Sequence, residues 1–152
     1  MIAQLRKLMT GFEGFADKLP SIADLAMRLV MARMFLKSGI VKVKDFEGAI
    51  DLFAYEYFDG MPYMLATVAA AMATIGETLL PLMLLVGFMT RYAAAGLLVM
   101  TVVISTAVYP FWTEDGLGYW WNDHAWWAVI LLAVLAYGAQ RYSVDHWLKS
   151  RK

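Results

Sequence analysis

PYMLATVAAAMATIGETLLPLMLLVGF, residues 62–88, is apolar from end to end except for one carboxylate, Glu77. A hydrocarbon core needs about 20 such residues in helical form, so this stretch reads as a membrane-spanning helix with an acid near its middle. Two further windows flank it on the C-terminal side. Tyr92 to Trp112 carries no charge, and Trp120 to Gln140 carries only Asp123 and His124, both near its start. On the N-terminal side, Ile22 to roughly Val43 is interrupted by Asp24, Arg28, Arg33 and Lys37. Between them run Leu25, Met27, Leu29 to Ala32, Met34 to Leu36 and Ile40. The expected fold is therefore all-α: an integral membrane four-helix bundle with helices over about 22–43, 62–88, 91–112 and 120–141, in a single domain covering 1–152.

Composition agrees with that reading. Of 152 residues, 61% are hydrophobic and 17% charged, against about a quarter charged in soluble domains. The net charge of +0 offers no electrostatic footprint for nucleic acid. With no cysteine, disulfides, thiolate metal sites, iron–sulfur ligation and cysteine nucleophiles are excluded together, so no covalent or thiolate-bound cofactor is expected.

The N-terminal stretch lacks the apolar core and small-residue cleavage site of a signal peptide, so it is expected to stay on the protein. Ile2, Leu5, Met9, Phe12, Ala16 and Leu19 recur at helical spacing among Arg6, Lys7, Glu13, Asp17 and Lys18, the pattern of an amphipathic segment lying along the interface. Lys and Arg set the orientation. Arg6, Lys7, Lys18, Arg91, Arg141, Lys149, Arg151 and Lys152 fall on one side, which becomes cytoplasmic, with Lys42 and Lys44 on the other. Both termini are thus expected in the cytoplasm, and the chain in the cell's inner membrane as a multi-pass protein. The outer segment around Phe46, Ile50, Phe53 and Tyr57 has helical spacing and reads as a short surface helix.

Charge inside the membrane costs roughly 2.5–3.5 kcal/mol per group on insertion scales, so each such residue needs a partner. Counted from Gly87 at 1.5 Å per residue, Glu77 lies about 15 Å from the cytoplasmic boundary; counted from Ser21, Arg28 lies about 10 Å and Arg33 about 18 Å from it. At 100° per residue Arg28 shares a stripe with Asp24, Phe35, Gly39 and Lys42, while Arg33 shares another with Lys37, Ile40 and Lys44; only one stripe can face the bundle. Arg28, with Asp24 a turn below, is expected to face inward and pair with Glu77. That pair is either a registry-setting ion pair or a site in which Glu77 accepts a proton or bonds a quinone carbonyl beside a fixed positive charge. Arg33 and Lys37 are assigned to a partner subunit, an anionic lipid headgroup or an anionic substrate; Lys37 and Lys44 are also placed to snorkel.

Trp112, Trp120, Trp121, Trp126 and Trp127 surround the last connection. They fit an aromatic belt, or a stacking platform for a flat ligand. Small residues Ala66, Ala69, Ala70, Ala73 and Gly76, and Ala93 to Gly96, allow close helix approach. His124 and His146 fall on opposite sides of the expected topology, and one imidazole beside Asp123, Glu114 or Asp115 makes a weak ligand set; no metal site is assigned.

Three segments in order resemble the DoxX family of small four-helix membrane proteins. RLVMARMFLKSGIVKVKDF supplies Arg28, Phe35, Ser38, Gly39 and Lys42; GETLLPLMLLVGFMTRYAA supplies Glu77, Gly87, Thr90 and Arg91; YGAQRYSVD supplies Ser143 and Asp145. Some members of that family are membrane subunits of thiosulfate:quinone oxidoreductases, and others accompany oxidative-stress, quinone-detoxification or metal-stress proteins. The resemblance implies a membrane subunit of a redox system that handles quinone or passes reducing equivalents to it, with another membrane or redox subunit as partner. The family's arginine and glutamate carry over to Arg28 and Glu77, which with Asp24 are expected to carry the chemistry; Trp120, Trp121, Phe35 and Lys42 are expected to hold the cofactor. Arg33, Lys37 and the tryptophan cluster are outside the family pattern. A non-catalytic anchor or assembly subunit, and a small proton-coupled transporter using Glu77, are the alternatives; a homo-oligomer is compatible with each.

Overall fold

The computed structural model describes residues 2–151, with side chains for all of these except residues 2, 3, 5, 7 and 8. Ile2 and Leu5 of the expected amphipathic stripe, and Lys7 and Lys152 of the basic set, therefore lie outside the described side chains. The described residues are helical, without strands. Helix α1 covers Ile2–Ala16 and α2 covers Leu19–Lys44, with Pro20 in its first turn, where a missing N–H costs nothing. After Asp45, whose carboxylate accepts from Gly48 N and caps the next helix, α3 covers Phe46–Asp51 and continues as a π-helical turn over Leu52–Tyr57. Helix α4 covers Tyr63–Val86. Helix α5 covers Thr90–Val103 and widens into a π-helical turn at Ile104–Val108. Helix α6, Glu114–Tyr119, runs through a third such turn, Trp120–His124, into α7, Ala125–Tyr137; α8 covers Val144–Lys149.

Local chemistry sets the ends. Gly87 adopts φ +68, and Phe88 N donates to Met83 O at 3.0 Å while Gly87 N donates to Leu84 O at 3.2 Å, the double bond that closes a helix on a left-handed residue. Pro110 cannot continue a helix, and the residue before a proline leaves the α region; the third apolar helix accordingly stops at Val108 rather than at Trp112. Gly138, at φ +70, ends α7 at Tyr137 rather than at Arg141.

Helix α2 packs on α4 and α7, and α5 packs on the same two. Met31, Ala32, Phe35, Leu84, Ala94 and Leu97 form the centre. A second cluster joins Ala49, Ile50 and Ala54 to Ala66 and Ala70 of α4, small side chains that let backbones approach. The interior also holds Asp24, Arg28, Lys42, Glu77, Thr90, Thr101, Ser105 and His124, whereas Met64, Met72, Ile75, Tyr92, Val99 and Val129 face outward. Charge inside and apolar side chains outside is the reverse of a water-soluble fold. Helices Tyr63–Val86 and Thr90–Val108 are long and apolar enough to cross a bilayer.

Candidate functional site

The stripe Asp24, Arg28, Phe35, Gly39 and Lys42 is the buried face of α2, as the 100° period requires. Its height against α4 differs from expectation, and the Arg28–Glu77 pair does not form. Gly39 lies against the Glu77 carbonyl so closely that a Cβ there would sit 2.6 Å from that oxygen. Pro81 has no N–H to give the carbonyl four residues earlier, which is that of Glu77, so the oxygen is free to meet the neighbouring backbone. With Gly39 level with Glu77, Arg28 falls about 16 Å away along α2, at the C-terminal end of α4. The depth count went wrong because Ser21 is not at the level of Gly87: the first turns of α2 extend past the end of α4.

At that end Arg28, 0% exposed, bonds through its whole guanidinium. Nε donates to Asp24 Oδ2 at 3.1 Å, Nη1 to Leu84 O at 2.9 Å and Nη2 to Tyr142 O at 2.7 Å. Carbonyls in the last turn of a helix lack partners and carry partial negative charge, so a cation is held there by the backbone itself. Asp24 Oδ2 also accepts from Gln140 N at 3.0 Å, tying the segment after α7 to α2. Asp24 and Arg28 form a clasp at the C-terminal end of α4.

Glu77, 5% exposed, pairs instead with Lys42, 8% exposed. Lys42 Nζ lies 2.8 Å from Glu77 Oε2 and donates also to Ser38 Oγ at 2.8 Å. The pair opens on a cavity of about 560 Å³ whose wall includes Phe35, Tyr57, Met100, Tyr109, His124 and Trp127. That size, with mostly apolar walls and a few convergent polar groups, is typical of a small-molecule site. All three π-helical turns contribute to the wall, through Tyr57, Ile104, Val108 and His124; such widened turns recur at functional sites. Burial, reinforced by neighbouring Tyr109 and Glu77, pushes the Tyr57 phenol up to about 12, so it stays protonated and able to donate a hydrogen bond.

The DoxX family profile matches residues 23–110, which contain both members of the ion pair and most of the cavity wall. The chain belongs to the DoxX family. DoxX is a family of membrane proteins, and the two long apolar helices and the outward apolar surface are those of a protein in a bilayer. No curated protein and no solved structure gave a significant match.

Most of the residues that carried the resemblance in the sequence divide between two places. Lys42, Glu77, Phe35 and Ser38 meet at the cavity. Arg28, Gly87, Thr90, Ser143 and Asp145 meet at the clasp: a Cβ on Gly87 would lie 2.4 Å from Ser143 Cβ, and the Asp145 carboxylate accepts from Met89 N and Thr90 N, each at 2.8 Å. Partial burial raises the Asp145 carboxyl, but the hydrogen bonds from Thr90 and Met89 outweigh it and hold the group below the usual carboxylate range.

The remaining expected residues lie elsewhere. Trp121 is 62% exposed, and Trp120 packs on Phe111 with centroids 5.8 Å apart; neither lines the cavity, whereas Trp127 does. Arg33 and Lys37 are exposed on the other face of α2, in no ion pair among the described residues. His124 turns inward, and no group of three or more histidine, aspartate or glutamate side chains among the described residues is placed to hold a metal. Tyr57, Tyr109 and His124 escaped the sequence reading as wall residues, and of the five tryptophans offered there as a stacking platform only Trp127 lines this cavity. Their aromatic character was visible, but their convergence depends on widened turns that no residue spacing announces.

Proposed function

We propose that this DoxX chain is a multi-pass inner-membrane subunit of a redox system, crossing four times as a four-helix bundle with cytoplasmic termini, and that its cavity receives a quinone headgroup. The observation that carries this reading is the buried Lys42–Glu77 ion pair opening on an apolar cavity of about 560 Å³. Intramembrane charges are retained where they serve a ligand or a proton, and here both face free volume. Interconversion of quinone and hydroquinone moves two electrons and two protons. In this proposal a partner oxidoreductase subunit supplies or takes the electrons; this chain has no cysteine for a thiol or iron–sulfur relay. Lys42 supplies a charged donor for a ring oxygen, and Glu77 gives or takes the proton that oxygen gains or loses. Phe35, Met100 and Trp127 pack the ring and keep out water.

The test is equilibrium dialysis of an alkyl-1,4-benzoquinone against purified protein in nanodiscs. Glu77→Gln and Lys42→Met are each expected to weaken binding about tenfold or more, the value of a hydrogen bond to a charged group. Wild-type protein that does not bind, or folded variants that bind as wild type does, would sink the proposal. The exposed Arg33 and Lys37 favour an added docking role. Arg33→Leu is then expected to loosen association with a partner subunit on native gels while quinone binding is unchanged.

A further inference from the structure

His124 is 6% exposed, with its ring 4.8 Å from that of Trp127 and 6.5 Å from that of Tyr109. Its Nδ1 lies 3.1 Å from Tyr119 O. A carbonyl oxygen only accepts, so Nδ1 must carry hydrogen, and in the neutral ring Nε2 is left with a bare lone pair. The ring itself forms part of the cavity wall.

His124 also lies across from the ion pair. Glu77 belongs to α4 and His124 to the turn leading into α7; α2 and α5 each pack on both of these helices and so stand between them. The cavity thus has two poles, a donor–acceptor pair on the α4 side and an imidazole on the α7 side, with the Tyr57 and Tyr109 rings in the wall between them.

Building on the quinone reading, we propose that His124 is a second ligand-binding residue, and that through it the cavity selects the reduced, dihydroxy form of the ring over the dione. A hydroxyl at the far end of a hydroquinone donates to the Nε2 lone pair. A dione presents only acceptors, and its carbonyl oxygen would face that lone pair without a hydrogen between them. At the other pole Lys42 donates and Glu77 accepts, so that end serves either form.

The experiment compares an alkyl-1,4-benzohydroquinone with its benzoquinone, by anaerobic equilibrium dialysis on protein in nanodiscs. Wild type is expected to bind the hydroquinone about five- to tenfold more tightly, one neutral hydrogen bond. His124→Phe, which keeps a ring against Trp127, is expected to remove that preference, bringing the hydroquinone and quinone affinities within about twofold of each other. His124→Gln, with an amide oxygen as acceptor, is expected to restore part of it. A readout independent of any variant's folding is the ¹⁵N resonance of His124 Nε2 in wild type, expected to move on adding hydroquinone and to stay on adding quinone. Equal binding of both forms by wild type, an undiminished preference in folded His124→Phe, or an unmoved Nε2 resonance overturns the inference. If Glu77→Gln still weakens both forms in that case, the quinone reading stands; if wild type binds neither form, both fall.

Discussion

Lys42 and Glu77 hold each other in the interior at 2.8 Å, so removing one leaves the other as an uncompensated buried charge. Lys42→Met is expected to cost roughly 3–5 kcal/mol, while the double variant Lys42→Met with Glu77→Leu recovers most of that loss. Unfolding in mixed micelles, run as a double-mutant cycle, checks this; additive losses would show that the pair is not coupled. Gly39 is the second single-residue constraint, because a Cβ would meet the Glu77 carbonyl at 2.6 Å. Gly39→Ala is expected to destabilise by about 1–3 kcal/mol through forced separation of α2 and α4, read in the same assay. Tyr57, pushed up to about 12 mainly by burial, is expected to be among the last of the 8 tyrosines to ionise in an ultraviolet titration. That late component should vanish in Tyr57→Phe.

Among the elements, α5 shows how a helix end is completed from a distance. Its N-terminus follows Met89, at φ 46, and no side chain of its own caps it. Asp145 does so, its two oxygens receiving Met89 N and Thr90 N. An anion at a helix N-terminus satisfies orphan donors and meets the positive pole of the helix. Asp145→Ala is therefore expected to cost about 1 kcal/mol at neutral pH. The carboxyl sits below its ordinary value of 3.8 in the folded chain, so its contribution is present above that value and is lost as pH falls through the lowered folded one. The stability gap between wild type and Asp145→Ala should accordingly close in strong acid. A gap that widened there would contradict the capping role.

Across the whole molecule, clasp and cavity stand about 16 Å apart along α2 and should fail separately. Arg28→Leu removes bonds to Asp24, Leu84 and Tyr142, which join the segment after α7 to the ends of α2 and α4. In nanodiscs this variant is expected to be cut faster by trypsin at Arg141 while its affinity for quinone stays within about twofold of wild type. Loss of binding without faster cleavage would return Arg28 to the chemistry.

The residues by themselves determined the helices and their phase. Long apolar runs mark α4 and α5, and a fixed 100° per residue puts Asp24, Arg28, Phe35, Gly39 and Lys42 on one face whatever surrounds them. Glu77 stood out for the same reason, as a charge alone in an apolar helix. The tertiary structure alone decided how high one helix stands against the next. That register rests on contacts between residues far apart in the chain, Gly39 on the Glu77 carbonyl and Arg28 on the last carbonyls of α4. A shift of about three turns leaves helical phase nearly intact yet changes every partner, which is why Lys42 rather than Arg28 faces the acid.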